Sequence, residues 1–386
     1  MGFSAEWGSG GTSGQTQEAR GFPPPHKLTI LPLSGGLGAT AATPGPGRNP
    51  PPRIDVATPR GPPGRLLAVL MSLRQLLTYA HENPEVRELS DAAANGTTGS
   101  GERVFVSASL RPYLLAALLD AQPDNPALVI AGDDRAARDL AADLKTFLSP
   151  RTVRFYPARG VRYESHLAPP PHLVGLRVAA LDALTAGPAV VVASAAALAE
   201  KVPDPALRPH GFTIEKGGVI DLEETADQLA AAGYQRVEQV EDRGQFAIRG
   251  DILDVYPATE ERAVRCELFD IEVERLTFFS TFTQRSLEEA DQIEIAPAAE
   301  IGPEHRELAE MAALETDESQ RPDVAEVLPV DRFQDVMSLV PQHALIAIAA
   351  EEEIEPSLAD YWEEVTTSFH DADAHHLYIS PDTLRT

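Results

Sequence analysis

Two stretches of this chain come near a phosphate-binding loop. Such a loop, GxxxxGK[ST], uses glycines so that backbone N–H groups cradle phosphates, a lysine that neutralises them and a hydroxyl that holds Mg²⁺. Gly96-Thr97-Thr98-Gly99-Ser100-Gly101-Glu102-Arg103 has both glycines at the right spacing. Glu102 stands in the lysine position and Arg103 in the hydroxyl position, and the stretch precedes its strand instead of following it, so it reads as a plain loop. Ser107-Ala108-Ser109-Leu110-Arg111-Pro112 lies in the correct place, between a strand and a helix, but has no glycine, and Pro112 removes a donor N–H. The reading is an NTPase-like fold whose nucleotide site has been lost.

Other catalytic chemistry finds little support. His370, His375 and His376, with Asp371 and Asp373, form a polar segment that reads as a solvated loop before a metal site. There is no HExxH, no GxSxG and no Cys–His pairing, and Glu288-Glu289 and Glu351-Glu352-Glu353 read as solvated acidic faces. No catalytic residue, metal or cofactor is assigned to this chain.

Arginines are more informative. Phe246–Tyr256 and Ala263–Phe269 flank a turn at 258–262 and predict an antiparallel hairpin. Alternation places Val264, Cys266 and Leu268 on the core side, and Arg265, Glu267 and Phe269 on the other. Phe246 and Ile248 point inward, so Arg249 points outward. The inward parity then shifts to Leu253 and Val255, which predicts a bulge or bend at Gly250. Arg236 and Arg243 lie just upstream. One reading of this face is structural: a cross-strand Arg249–Glu267 pair worth a few tenths to about 1 kcal/mol, with Phe269 covered by a loop. The other is a protein-binding face, because arginine and aromatics are enriched at binding hot spots and the guanidinium fork suits carboxylates.

The elements that must position this face follow from composition and pattern. The chain has 386 residues, 43% of them hydrophobic, and a net charge of −27. That length fits two or three domains, and that charge makes the chain a poor general nucleic-acid binder, because phosphates would be repelled. No apolar run reaches 18 residues. A single cysteine, Cys266, excludes a disulfide scaffold and fits a reducing, cytoplasmic setting. Residues 1–70 hold six Lys/Arg, three Asp/Glu, 13 of the 27 glycines and 12 of the 33 prolines. They read as a disordered extension; the alternative is that Met71 is the true start. From Met71, apolar strands (103–109, 127–131, 152–156, 189–193) alternate with helices (72–88, 112–121, 134–148, 173–185), which predicts a parallel sheet covered on both faces. Asp133 is placed to cap helix 134–148. From about His210, strands come in succession with one helix at 222–232, and near Pro297 the α/β pattern resumes, with strand 344–349 and helix 354–368.

Residues 233–270, GYQRVEQVEDRGQFAIRGDILDVYPATEERAVRCELFD, closely resemble the RGxFxxRGDIxDxxP…xRxExFDxExE block shared by the bacterial transcription-repair coupling factor (Mfd) and the excinuclease protein UvrB. VRYESHLAPPPHLVGLRVAALDAL (161–184) resembles their P-Y-E-x-x-S-P…R-x-x-x-L-x-x-L segment, and the likeness covers roughly 101–386. The lost phosphate loop and the lack of a damage-probing hairpin before Ala189 favour the coupling factor. A fragment of excinuclease UvrB, or an NTPase with an unusual nucleotide site, is the alternative.

The resemblance implies an α/β fold. Residues 71–209 and 298–386 are expected to be the two halves of a degenerate P-loop NTPase domain, RecA-like and similar to excinuclease UvrB. A small β-rich α+β domain at 210–297 is expected to bind the partner excinuclease protein, UvrA. It implies that Arg236, Arg249, Arg265 and Glu267, with Phe269 beside them, fall on interface positions. One departure is Ala247, where UvrB carries a second arginine, so one ionic contact is expected to be missing. RNA polymerase, double-stranded DNA, ATP and Mg are expected to engage domains beyond Thr386, and the chain itself is expected to be a non-catalytic recruitment module with no membrane partner.

Overall fold

The computed structural model describes residues 26–32, 73–95, 102–165, 167–314, 324–369 and 374–384. The α/β body is built on a six-stranded sheet of β1 (His26–Pro32), β2 (Glu102–Val106), β3 (Ala127–Ala131), β4 (Val153–Tyr156), β5 (Val190–Ser194) and β16 (Leu345–Ile348), in the order β2-β1-β16-β3-β5-β4. β16, β3, β5 and β4 run parallel. β3 and β5 are buried along their whole length, because helices cover both faces. On one face Leu115, Leu118, Leu140 and Leu144 pack on Val129, Val190 and Val192. On the other, Leu181 and Leu184 pack on Leu128, Ile130 and Val191. Helix Asp134–Leu148 buries Ala137, Leu140, Ala141, Leu144 and Leu148, a stripe at helical spacing. Asp133 caps it as expected, its side chain accepting from the Ala136 N–H at 2.7 Å.

Part of the segment expected to be disordered is a strand. His26–Pro32 lies inside the sheet, antiparallel to both β2 and β16, with Leu28 and Ile30 fully buried. Composition averaged over 70 residues hides seven residues whose partners lie at 102–106 and 345–348. A domain starting at Met71 would lack this strand. The rest of residues 1–70 lies outside the described residues, as do residues 96–101 of the first phosphate-loop look-alike. Glu351 is correspondingly half-buried, and Glu352, although exposed, also has a partner in β1. Glu351 pairs with Lys27 Nζ at 2.9 Å and accepts from the Thr29 hydroxyl, and Glu352 accepts from the Lys27 N–H, so the two acids anchor β1 to helix Glu351–Phe369.

β6 (Val202–Pro203) pairs with β15 (Phe333–Gln334) across the two halves of the body. Between them, β7 (Phe212–Glu215) pairs with β14 (Gln292–Ile295) where the chain enters and leaves the inserted unit. Within it, β8 (Gln235–Arg236), β9 (Gln245–Arg249), β10 (Ile252–Val255), β11 (Ala263–Phe269), β12 (Glu272–Phe279) and β13 (Ser286–Glu289) form a second sheet in sequence order. Its inner face (Phe246, Leu253, Val255, Val264, Cys266, Leu276) packs on Ala226, Leu229 and Ala232 of helix Leu222–Ala231 and its end. The bulge or bend expected at Gly250 is a full chain reversal. Arg249 pairs with Ile252 across Gly250-Asp251, and Gly250 has φ +61°, the conformation the first central residue of a type II′ hairpin turn requires. A parity shift in sequence is equally consistent with a kink and with a two-residue turn, and the register decides. The unit seats closely on the body: a Cβ on Gly175 of helix Pro171–Ala186 would meet the Ala258 Cβ at 2.6 Å.

Candidate protein-binding face on the inserted sheet

The outer face of the second sheet is organised in rows set by the register. One row runs Ala247, Asp254, Arg265, Thr277, and the next runs Arg249, Ile252, Glu267, Arg275. The expected alternation on β11 is observed: Val264, Cys266 and Leu268 are buried, Arg265 and Glu267 are half-buried and Phe269 is exposed. Burial pushes the Cys266 thiol up to about 12, so it is an inert core group.

Asp254 is the residue the sequence reading missed. Its side chain is 1% exposed on the outer face. A buried carboxylate is costly unless it is paired, and here both oxygens are taken. Arg265 donates from Nε to Oδ1 at 2.7 Å and from Nη2 to Oδ2 at 2.8 Å. Arg249 donates from Nη2 to Oδ2. The Arg265 guanidinium also lies over the Phe279 ring, 4.7 Å from its centre, and faces Gln284. Its hydrogen bond to Asp254 raises its pKa above the ordinary arginine value. The signal for Asp254 is an acidic residue in a strand where parity places its neighbours Leu253 and Val255 in the core.

Arg249 does not pair with Glu267: β10 lies between their strands, and Arg249 donates to Asp254 of β10. Glu267 instead lies 3.9 Å from Arg275 Nη1. Phe269 is not covered by a loop; it is 75% exposed, and Ile271, two residues on, is exposed as well. Arg236 is exposed, but as the register partner of inward-facing Phe246 it lies on the helix-packed side of the sheet edge, apart from the Asp254 cluster. Arg243 turns away as well, donating from Nε to the Glu260 carbonyl at the rim of a cavity of about 810 Å³ between the inserted unit and the body. Ala247 is buried with Val240, Ala263 and Phe279 beneath the 237–243 segment, so its position is off the open part of the face. Arg249, Glu267 and Phe269 thus share one exposed margin, and Arg265 sits behind them.

The other candidate sites can be placed too. At Ser107–Pro112 the backbone N–H groups of Leu110 and Arg111 both donate to the Ser107 carbonyl, at 3.0 and 3.1 Å. Those donors are used internally, and Pro112 has none. His375 packs against Trp362, while His370, Asp371 and Asp373 lie outside the described residues. Among the described residues no three His, Cys, Asp or Glu converge as metal ligands, and no helix is long and apolar enough to cross a membrane. Glu288 and Glu289 are exposed and paired with Arg262 at 2.6 Å and Lys216 at 3.3 Å.

The unit carrying the arginine margin has recognisable relatives. Residues 212–301 match the UvrB interaction domain. The chain is 33% identical over 215 residues to the transcription-repair-coupling factor of Bacillus subtilis, covering 55% of this chain and 17% of that protein. It is 30% identical over 204 residues to the coupling factor of Escherichia coli, covering 52% and 17%. To UvrABC system protein B of Thermotoga maritima it is 29% identical over 220 residues, covering 53% and 32%. The two kinds of relative are those the sequence resemblance implied. The chain spans less than a fifth of the coupling factors' length and about a third of that of the UvrABC system protein B.

Proposed function

We propose that this chain is a recruitment module of transcription-coupled nucleotide-excision repair, corresponding to the N-terminal part of a coupling factor, and that its inserted domain binds excinuclease UvrA. The observation that carries this reading is the exposed margin of Arg249, Glu267 and Phe269 on the sheet of a domain matched to the UvrB interaction domain. A cation, a carboxylate and an aromatic along one margin give a partner both charge-paired contacts and an apolar anchor. The α/β body acts as a scaffold of the P-loop NTPase type without a nucleotide site. At its strand-to-helix turn the Leu110 and Arg111 N–H groups are spent on Ser107 and Pro112 has none, which supports recruitment over an NTPase or a working UvrB. RNA polymerase, duplex DNA, ATP and Mg are engaged by domains outside this chain, and the module acts in the cytoplasm.

Calorimetric titration of the full chain with purified UvrA tests the reading. Saturable binding that weakens with added salt is expected. No heat with a folded chain would overturn it.

A further inference from the structure

Asp254 does more than balance charge. It stands on β10 between the two strands that carry Arg249 and Arg265, and both guanidinium groups donate to its carboxylate. The two arginines are held unequally. Arg265 spends Nε and Nη2 on the carboxylate, faces Gln284 with Nη1 and Nη2, and has 16% of its side chain exposed. Arg249 reaches the carboxylate with Nη2 alone and is 46% exposed. A flexible arginine loses side-chain entropy when a partner orders it, whereas one already pinned through a single nitrogen presents its remaining N–H groups at little further cost.

We propose that Asp254 is the positioning residue of this face: it pins Arg249 so that its outward N–H edge meets a carboxylate or carbonyl group of the partner, while Arg265 braces Asp254 from behind. This rests on the reading of the face as the binding site for UvrA. It separates Arg249, held by one nitrogen with its remaining N–H edge outward, from Arg265, which braces Asp254 through two.

The test is a double-mutant cycle on the full chain, with affinity for UvrA measured by calorimetry and folding by circular dichroism and thermal melting. Arg249→Ala is expected to weaken binding about tenfold or more while leaving the chain folded, with a smaller loss of melting temperature than Arg265→Ala because only one hydrogen bond to Asp254 is removed. Asp254→Asn is expected to weaken binding by a similar factor, and the double variant to bind no more weakly than the weaker single one. Losses that multiply would overturn the proposal, because Asp254 would then act independently of Arg249. If Asp254→Asn does not fold, Asp254→Glu keeps the charge but moves the carboxylate one methylene outward. It is expected to fold and to lose affinity, and wild-type affinity would overturn the proposal. No binding by the wild-type chain would sink the function itself and this inference with it, whereas binding with multiplying losses would sink the inference alone.

Discussion

Arg177 donates to Glu300 at 2.9 Å across 123 positions of sequence, with both side chains almost fully buried. The same guanidinium donates to Glu200 at 2.7 Å, Arg159 reaches Glu300 at 2.8 Å, and Tyr361 caps Glu200 at 2.8 Å. This network joins the first half of the body, the exit from the inserted unit and helix Glu351–Phe369. Burial alone would raise the Glu300 pKa, but Arg177 and Arg159 together hold it below the ordinary value. Burial dominates at Glu200, which is raised. Glu300→Ala leaves two buried guanidinium groups short of a partner and is expected to cost about 3–5 kcal/mol, with Glu300→Gln costing less. Urea denaturation of the three proteins measures it; a change under about 1 kcal/mol would mean that water replaces the carboxylate.

Arg265→Ala is expected to destabilise the fold as well as weaken binding. The Asp254 carboxylate would keep Arg249 alone, and one buried charged hydrogen-bonding partner is worth about 2 kcal/mol. Chemical denaturation beside Arg249→Ala checks this, the latter being the milder change. Equal stability of the two variants would contradict the bracing role.

Leu28→Ala tests whether β1 belongs to the fold. Leu28 is wholly buried between β2 and the rest of the sheet, and truncating such a leucine costs about 2–5 kcal/mol. A melting temperature equal to that of the unmodified chain would place residues 26–32 outside the domain.

Glu351 makes the anchoring of β1 depend on pH. Its hydrogen bonds to Thr29 and Lys27 hold its pKa below the ordinary 4.5. A carboxylate lowered in the folded state stabilises it fully above the ordinary value and loses that contribution as pH falls through the lowered one. Hydrogen exchange of the β1 amides, corrected for intrinsic rates, is expected to quicken on acidification in that window, and Glu351→Gln is expected to remove the dependence. A dependence unchanged in that variant would assign it to another group.

Calorimetry with Mg-ATP is expected to show no heat of binding, since Leu110 and Arg111 spend their N–H groups on Ser107 and Pro112 has none. A micromolar dissociation constant would locate a nucleotide site elsewhere in the body.

Much of this protein is determined by local sequence. The apolar runs at 127–131 and 189–193 are strands because only a sheet covered on both faces tolerates them. Asp133 starts its helix because a short acceptor satisfies a free N–H. Arg265 and Glu267 leave the core side of β11 because strand side chains alternate. Tertiary structure decided what depends on distant partners. Lys27–Ile30 become a strand only between residues 102–106 and 345–348. The Gly250 signal becomes a turn, and not a bulge, once Arg249 pairs with Ile252. Arg249 and Glu267 stand on strands separated by β10, and Asp254 joins Arg249 to Arg265 because β10 runs between them. Alternation says which way a side chain points, but only the strand order says what it meets there.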